Sequence, residues 1–370
     1  MRRFIIFGGT FDPIHNGHLR IACAASLKLN ADVIFVPAKS PRWKEDVTEV
    51  KHRLKMLKLA LKEAPSGSKI SDFEIKSRAE INYSIDTVRY FRSIYPKAEL
   101  YFLIGADQVN KFPEWKDAEE LSKIAHVIYS ARPENDLNNE IIQKYSMQSI
   151  ECNNSGDVSS TSVRELKSID LPISVLNYIE DNRLYYVGKL AKYLQEARLN
   201  HSIQVARLSL RIAKVNKLSD PWRYYTAGLL HDLGKTYSTA SENSIEFMKK
   251  NFPQECDLPK FSYHQFIGAS LAKSDFNIEE EDILDAIKYH CTGKANMNNV
   301  AMVVYAADKI EPTRDFDSRW LINSCLENWY KGFIDTLEDN RKYLLGHAKD
   351  IENRYTKECF DMYLGDKKNG

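Results

Sequence analysis

No run of apolar residues in this chain approaches the roughly 18 that a membrane-spanning helix needs, so no transmembrane segment is expected. The apolar stretch near the start, Phe4-Ile5-Ile6-Phe7, stops at Gly8-Gly9. That is too short for a signal-peptide core, so the reading is a buried first strand in a cytoplasmic protein. Charge of one sign is not in excess either: Lys+Arg is 52 and Asp+Glu is 51, a net charge of +1. With no basic stripe, a nucleic-acid-coating or membrane-surface role is not expected. Small anionic substrates stay open, because a local site can be basic on a neutral protein. The six cysteines form no C-x-x-C pair. They read as reduced thiols rather than a disulfide framework or a zinc ribbon. What is present is an ordinary globular composition, 43% hydrophobic and 28% charged over 370 residues, a length for two domains or three.

The two halves differ in texture. Up to about residue 150, short β-branched or aromatic runs alternate with helical patterns. The strand candidates are Phe4–Phe7, Val33–Val36, Ile70–Ile75, Leu100–Ile104 and His126–Tyr129, with helices at 18–29, 51–64, 84–94 and 118–124. Such alternation predicts a doubly wound, Rossmann-like parallel sheet with ligands at the carboxyl ends of its strands. After about residue 187 the strand signal disappears and helix follows helix, from 187–197 through to 318–360 with breaks. The expected division is an α/β domain over 1–186 and an all-α domain over 187–370.

The first strand runs into Gly8-Gly9-Thr10-Phe11-Asp12-Pro13-Ile14-His15-Asn16-Gly17-His18-Leu19. Two glycines let the backbone turn sharply and approach a ligand. His15 and His18 open the next helix, where free N–H groups and the helix dipole favour an anion. Imidazoles at i and i+3 can donate to phosphate oxygens from one face. A plain strand–turn–helix with two surface histidines is the alternative, and the preceding Gly-Gly-Thr-Phe-Asp-Pro argues against it. Further on, Ser159, Ser160 and Thr161 are natural N-caps with Arg164 one turn later. That predicts a second phosphate-facing helix end with a cationic fork.

This half resembles the nucleotidyltransferase superfamily, whose signature is the H-x-G-H loop, and within it bacterial nicotinate mononucleotide adenylyltransferase. Asn82-Tyr83-Ser84-Ile85-Asp86-Thr87 is similar to that family's S-Y-T-x-D-T segment. Ile104-Gly105-Ala106-Asp107 with Trp115 is similar to its G-x-D…W segment, and Val158–Arg164 to its I-S-S-T-x-I-R motif. The resemblance covers about 1–186. It implies adenylyl transfer from ATP to nicotinate mononucleotide, with His15, His18, Lys44 and Arg164 around the triphosphate and Mg²⁺ carried by ATP. Gly8, Gly9, Thr10, Phe11, Tyr83, Ser84, Thr87, Gly105, Asp107, Ser159, Ser160 and Thr161 are the implied binding residues. Trp115 is a candidate stacking face for the pyridine ring, with a core tryptophan as the equal alternative. The family's P-P-H-K reads here as Pro41-Arg42-Trp43-Lys44, so Trp43 stands where a histidine is usual.

In the second half four histidines fall in distinctive settings: His201, His231 followed by Asp232, His264 and His290, with Asp308 further on. One histidine on a helix is usually structural. Histidines and aspartates recurring on consecutive apolar-faced helices are different, because a bundle can project them onto a shared metal. N/O ligands of this kind suit iron, manganese, cobalt or zinc, and mixed ligation with open positions suggests a catalytic metal with an activated water. The adjacency of His231 and Asp232 requires a helix end or an irregular turn, for which Gly234 is suited.

The order H…HD…D resembles the HD phosphohydrolase superfamily. The strings His231-Asp232-Leu233-Gly234-Lys235 and Ala307-Asp308-Lys309-Ile310-Glu311-Pro312-Thr313-Arg314 are similar to its symmetrical bis(5′-nucleosyl)-tetraphosphatase branch. The resemblance, over about 190–360, implies cleavage of diadenosine tetraphosphate, a dinucleoside polyphosphate, into two ADP. It implies His201, His231, Asp232 and Asp308 on one metal, with Asp232 bridging to a second held by His264 and His290. Iron is the first expectation, manganese or cobalt the alternatives. Lys235 and Arg314 are candidate phosphate contacts, with a solvated charge as the alternative for each. A rival from another class makes this half a nucleotide-sensing regulator, and another keeps both folds with a different phosphoester. A homo-oligomer is left open.

Overall fold

The computed structural model describes residues 1–39, 47–79, 81–130, 136–152, 158–237, 241–347 and 353–365. The chain divides into two compact units: Met1–Arg164 with Asp170–Asp181, and Glu165–Ile169 with Asn182–Gly370. The break at Asp181 falls ahead of the expected 186/187 boundary. The helix Tyr185–Leu190 belongs with the helical unit, where the buried Tyr186 ring meets Tyr225 edge-on at 6.3 Å.

In the first unit six strands form one parallel sheet: β1 (Arg3–Gly9), β2 (Asp32–Pro37), β3 (Lys69–Ile70), β4 (Glu99–Gly105), β5 (His126–Ser130) and β6 (Gln148–Ile150). Their spatial order is β3-β2-β1-β4-β5-β6. Successive residues of a strand point to opposite faces, and Phe4, Ile5 and Ile6 are all buried. Both faces of the sheet are therefore covered, which is why these strands read as unbroken apolar runs. The chain winds outward from β1 to β3 and then crosses to β4 on the other side of β1. The crevice of such a sheet opens between the carboxyl ends of β1 and β4.

Three elements differ from the sequence expectation. The strand expected over Ile70–Ile75 ends at Ile70, and Phe73–Lys76 is a helical turn. Ser71 Oγ accepts from the Phe73 N–H at 3.3 Å, and the Phe73 ring stacks on Tyr90 at 3.9 Å, so Phe73 serves a turn and not the ladder. The edge strand β6 and the helix Asn139–Lys144 were not signalled. Three residues are too few for a period-2 pattern.

The second unit is helical throughout its described residues. The helices that carry its histidine and aspartate cluster are Glu196–Val215, Pro221–Leu230, Tyr263–Phe276, Glu281–Tyr289 and Asn299–Ile310. Gly228 lets two of them close up: a Cβ there would stand 2.9 Å from Ala206 Cα.

Candidate active sites, one in each unit

In the first unit His15 is the N-cap of the helix Asn16–Leu29, and His18 lies three residues on. The rings lie 3.6 Å apart, centroid to centroid, and His15 is buried. The His15 N–H donates to His18 Nδ1 at 3.3 Å. A neutral His18 therefore carries its proton on Nε2. Gly17 leaves the room this needs: a Cβ on it would stand 2.7 Å from Val158 Cγ1 and 3.0 Å from His15 Nδ1. Phe11, in the left-handed region at φ 49°, packs edge-on against His18 at 5.2 Å and is buried.

The Ser160–Arg164 turn is fastened to the same loop. Ser160 Oγ donates to Pro13 O at 2.9 Å, and Arg164 Nη1 donates to Asp12 O at 2.6 Å. Arg164 Nη2 also reaches Thr161 Oγ1 at 3.2 Å, and Ser159 Oγ caps the turn by accepting from the Ser162 N–H at 2.9 Å. The two segments, about 150 residues apart in sequence, thus meet beyond the end of β1. Gly8 and Gly9 end that strand, with Thr10 next, and Gly105 ends the neighbouring β4, with an exposed Asp107 in the turn after it.

Tyr83 precedes the helix Ser84–Ile94, with the Lys116 ammonium 4.2 Å from its ring centre. Thr87 is buried, and its hydroxyl donates to Glu74 Oε1 at 2.7 Å. Burial raises the Glu74 carboxyl, and the Thr87 hydroxyl only partly offsets this. Trp115 is half-buried against Phe112 and Phe102, at 5.3 and 6.1 Å. Lys44, with Arg42 and Trp43, lies outside the described residues.

Arg53 was missed by the sequence reading. It is 1% exposed and donates to Thr10 O and Ala38 O at 2.8 Å, Thr48 O at 2.9 Å and Lys39 O at 3.0 Å. Its guanidinium thus holds the loops after β1 and β2 together. The signal was present: Arg53 occupies the i position of an apolar stripe with Met56, Leu57 and Ala60.

In the second unit all six expected ligands converge. His231 Nε2 lies 3.6 Å from Asp232 Oδ2 and 3.5 Å from Asp308 Oδ1. His201 Nε2 lies 3.1 Å from Asp308 Oδ1. His264 and His290 approach the other Asp232 oxygen, Oδ1, at 3.4 and 3.5 Å. Asp232 therefore faces one histidine set with each oxygen. Three histidines are oriented by backbone: the Nδ1–H groups of His231, His264 and His290 donate to the carbonyls of Gly228, Phe261 and Ile287 at 2.7, 2.7 and 2.8 Å. A carbonyl can only accept, so each ring in its neutral form turns an unprotonated Nε2 inward.

Burial lowers the His264 pKa and takes His290 down to about 4, in both cases against the pull of Asp232. For His201 burial also opposes the charged ring, but the carboxylates of Asp308 and Glu311 outweigh it and hold its pKa up. Burial would raise Asp232 and Asp308. The histidines hold Asp232 well below the usual carboxylate range, and Lys309 with His201 and His231 does so for Asp308.

His231 Nε2 is fully buried with no hydrogen-bond partner among the described residues, an arrangement that costs free energy unless something binds it. A cation among these atoms fits: three groups of three donors each lie within 4.8 Å, and all are N or O atoms. His231 caps the end of its helix and Asp232 lies in the turn that Gly234 continues. The φ of Gly234 is not in the left-handed region. A Cβ there would collide with the His264 carbonyl, so glycine lets the His231-Asp232 turn press against the His264 helix.

Arg314, expected at phosphate, donates instead to Asp308: Nη2 to Oδ1 at 2.8 Å and Nε to the backbone oxygen at 3.0 Å. Lys235 is half-exposed one turn past Asp232. Two further residues bear on the site. Arg198 Nη1 donates to Asp232 Oδ2 at 2.8 Å, from the same helix face as His201. Glu311 Oε1 faces His201 Nδ1 at 3.1 Å. Arg198 was legible as an i, i+3 neighbour of His201, and Glu311 only as part of a string.

Two family models match the chain. A cytidylyltransferase-like model matches residues 6–166 and an HD domain model matches 198–313, so an α/β nucleotidyltransferase-type unit is joined to an HD-type helical unit. Proteins described as "probable nicotinate-nucleotide adenylyltransferase/Ap4A hydrolase" are similar along almost the whole chain. That of Mycoplasma genitalium is 32% identical over 94% of this chain and 99% of its own length, and that of Mycoplasma pneumoniae is 32% identical over 95% and 98%. The chain belongs to this nicotinate-nucleotide adenylyltransferase/Ap4A hydrolase family. A solved structure of Plasmodium falciparum nicotinic acid mononucleotide adenylyltransferase, complexed with NaAD, matches 50% of this chain and 98% of its own at 21% identity, with a TM-score of 0.44.

Proposed function

We propose that the chain is a bifunctional enzyme of nucleotide metabolism. Its first unit transfers AMP from ATP to nicotinate mononucleotide, giving nicotinate adenine dinucleotide and pyrophosphate for NAD synthesis. Its second unit hydrolyses diadenosine tetraphosphate to two ADP. The observation that carries the reading is the pairing of two complete constellations, one in each unit: the His15–His18 face joined to the Arg164 turn, and the six-ligand cluster around Asp232.

In the transferase the mononucleotide phosphate attacks the α-phosphorus in line and pyrophosphate leaves. No covalent enzyme intermediate is needed, so the protein works by positioning and by stabilising charge. His18 Nε2–H donates to a phosphate oxygen, Arg164 and Lys44 add positive charge, and Mg²⁺ arrives with ATP. The N-terminus of the helix Ser84–Ile94 favours a carboxylate at the pyridine end.

In the hydrolase the ligands are His201, His231, His264, His290, Asp232 and Asp308, holding one or two ions, iron first and manganese or cobalt as substitutes. A bound ion of this kind supplies Lewis-acid charge and a water ionised near neutral pH. Asp232 and Asp308 are held as carboxylates by their neighbours, and the histidines present lone pairs inward. Arg198, with 43% of its side chain exposed, and Lys235 are the cations that meet the polyphosphate. The substrates are cytoplasmic metabolites, and no nucleic acid takes part. No helix among the described residues is long and apolar enough to cross a membrane.

Initial rates with nicotinate and nicotinamide mononucleotides test the first assignment. The acid form should be the better substrate by at least about tenfold, the effect of roughly one charge-assisted contact. Equal rates would remove the carboxylate site from the account.

A further inference from the structure

The four histidines of the helical unit are not held alike. His231 and His290 cap the C-terminal ends of their helices, and His264 lies one residue into its own. At such positions the carbonyl three residues back is available to accept Nδ1–H. His201 lies inside the helix Glu196–Val215, where the carbonyls of the preceding turn accept backbone N–H groups. Its Nδ1 turns to Glu311, which is 2% exposed. Glu311 is itself fixed: it accepts from the Thr313 N–H at 2.7 Å and from Thr313 Oγ1 at 2.8 Å.

We propose that Glu311 is the positioning residue of one ion site: it orients His201 for the ion shared with His231 and Asp308, and it makes that site tighter than the one formed by His264 and His290. This rests on the metal-dependent reading of the unit. A carboxylate behind a histidine ligand fixes the ring and raises the ligand's basicity, whereas a backbone carbonyl does less of the second. His201 Nε2 also meets Asp308 Oδ1 at 3.1 Å, a closer carboxylate than the Asp232 oxygen that His264 and His290 approach at 3.4 and 3.5 Å. Two ions of unequal affinity follow.

The test is a cobalt(II) titration of the full chain after chelator treatment, read by visible absorption and by bound cobalt per chain. The wild type should fill in two separated steps. Glu311→Ala should weaken the first step by about 10–100-fold and leave the second in place. Glu311→Gln keeps an acceptor for Nδ1–H but not the charge, and should fall between. Thr313→Val, which removes one of the bonds that hold Glu311, should weaken the same step less and serves if Glu311→Ala loses helicity by circular dichroism. A wild type that binds no cobalt would reject the metal-dependent reading itself. Two normal steps in Glu311→Ala, or equal weakening of both, would overturn the role of Glu311 while that reading stands.

Discussion

His18 shows how much chemistry one backbone contact can set. The His15 N–H occupies Nδ1, so the outward nitrogen is a donor and suits a phosphate oxygen. His18→Ala should lower adenylyl transfer by about 10²–10³-fold, the cost typical of losing one transition-state donor. Hydrolysis of diadenosine tetraphosphate by the same variant should be unchanged. Measured together, near-normal transfer would show that the histidine face does not contact the reacting phosphates. Asp232 is the corresponding residue in the other unit. Its two oxygens face different histidine sets, so Asp232→Ala should abolish hydrolysis and cut bound transition metal, read by elemental analysis.

At the scale of elements, two contacts decide how loops and helices are held. Arg53 is a buried cation whose donors reach the loops after β1 and β2. Arg53→Met would strand those carbonyls, and leaving a buried acceptor unsatisfied costs about 1–3 kcal/mol. Thermal unfolding of the first unit should shift down accordingly, and transfer should fall with it. Glu74 gives a pH signature. Burial raises its pKa in the folded protein above the ordinary 4.5, so the native state binds the extra proton. Its stability contribution is full below about pH 4.5 and is lost as pH rises through the folded value. Glu74→Gln, still able to accept from Thr87, should raise the melting temperature at pH 7 and leave it unchanged at pH 4. A gain of equal size at both values would contradict the sign.

The same contrast explains what could be read without the structure. The six converging histidines and aspartates were legible because imidazole and carboxylate chemistry is written in the residue types, and their neighbours on each helix were apolar. The long strands were legible because both faces of the sheet are covered, which leaves unbroken apolar runs. The contacts of Thr87, Arg314 and Gly234 could not be read from the sequence for one reason. Each side chain, or missing side chain, answers to a neighbour that only the fold brings to it: Glu74, the Asp308 carboxylate after a turn, and the His264 backbone. Glu311 and Arg53 escaped because a charged residue reads as solvated until a fold buries it.

At the scale of the whole molecule, each unit carries its own group of candidate site residues, so the two activities should separate cleanly by mutation. The hydrolase should need a transition metal, and the transferase only the Mg²⁺ that ATP brings. The most direct test incubates the purified full chain and its Asp232→Ala variant with ATP plus nicotinate mononucleotide and, separately, with diadenosine tetraphosphate, and identifies the products by anion-exchange chromatography. The wild type should give nicotinate adenine dinucleotide with pyrophosphate, and ADP as the sole product of the tetraphosphate; the variant should keep the first reaction and lose the second. Formation of ATP and AMP from the tetraphosphate, no turnover of either substrate, or loss of both reactions in a folded Asp232→Ala variant would contradict the account.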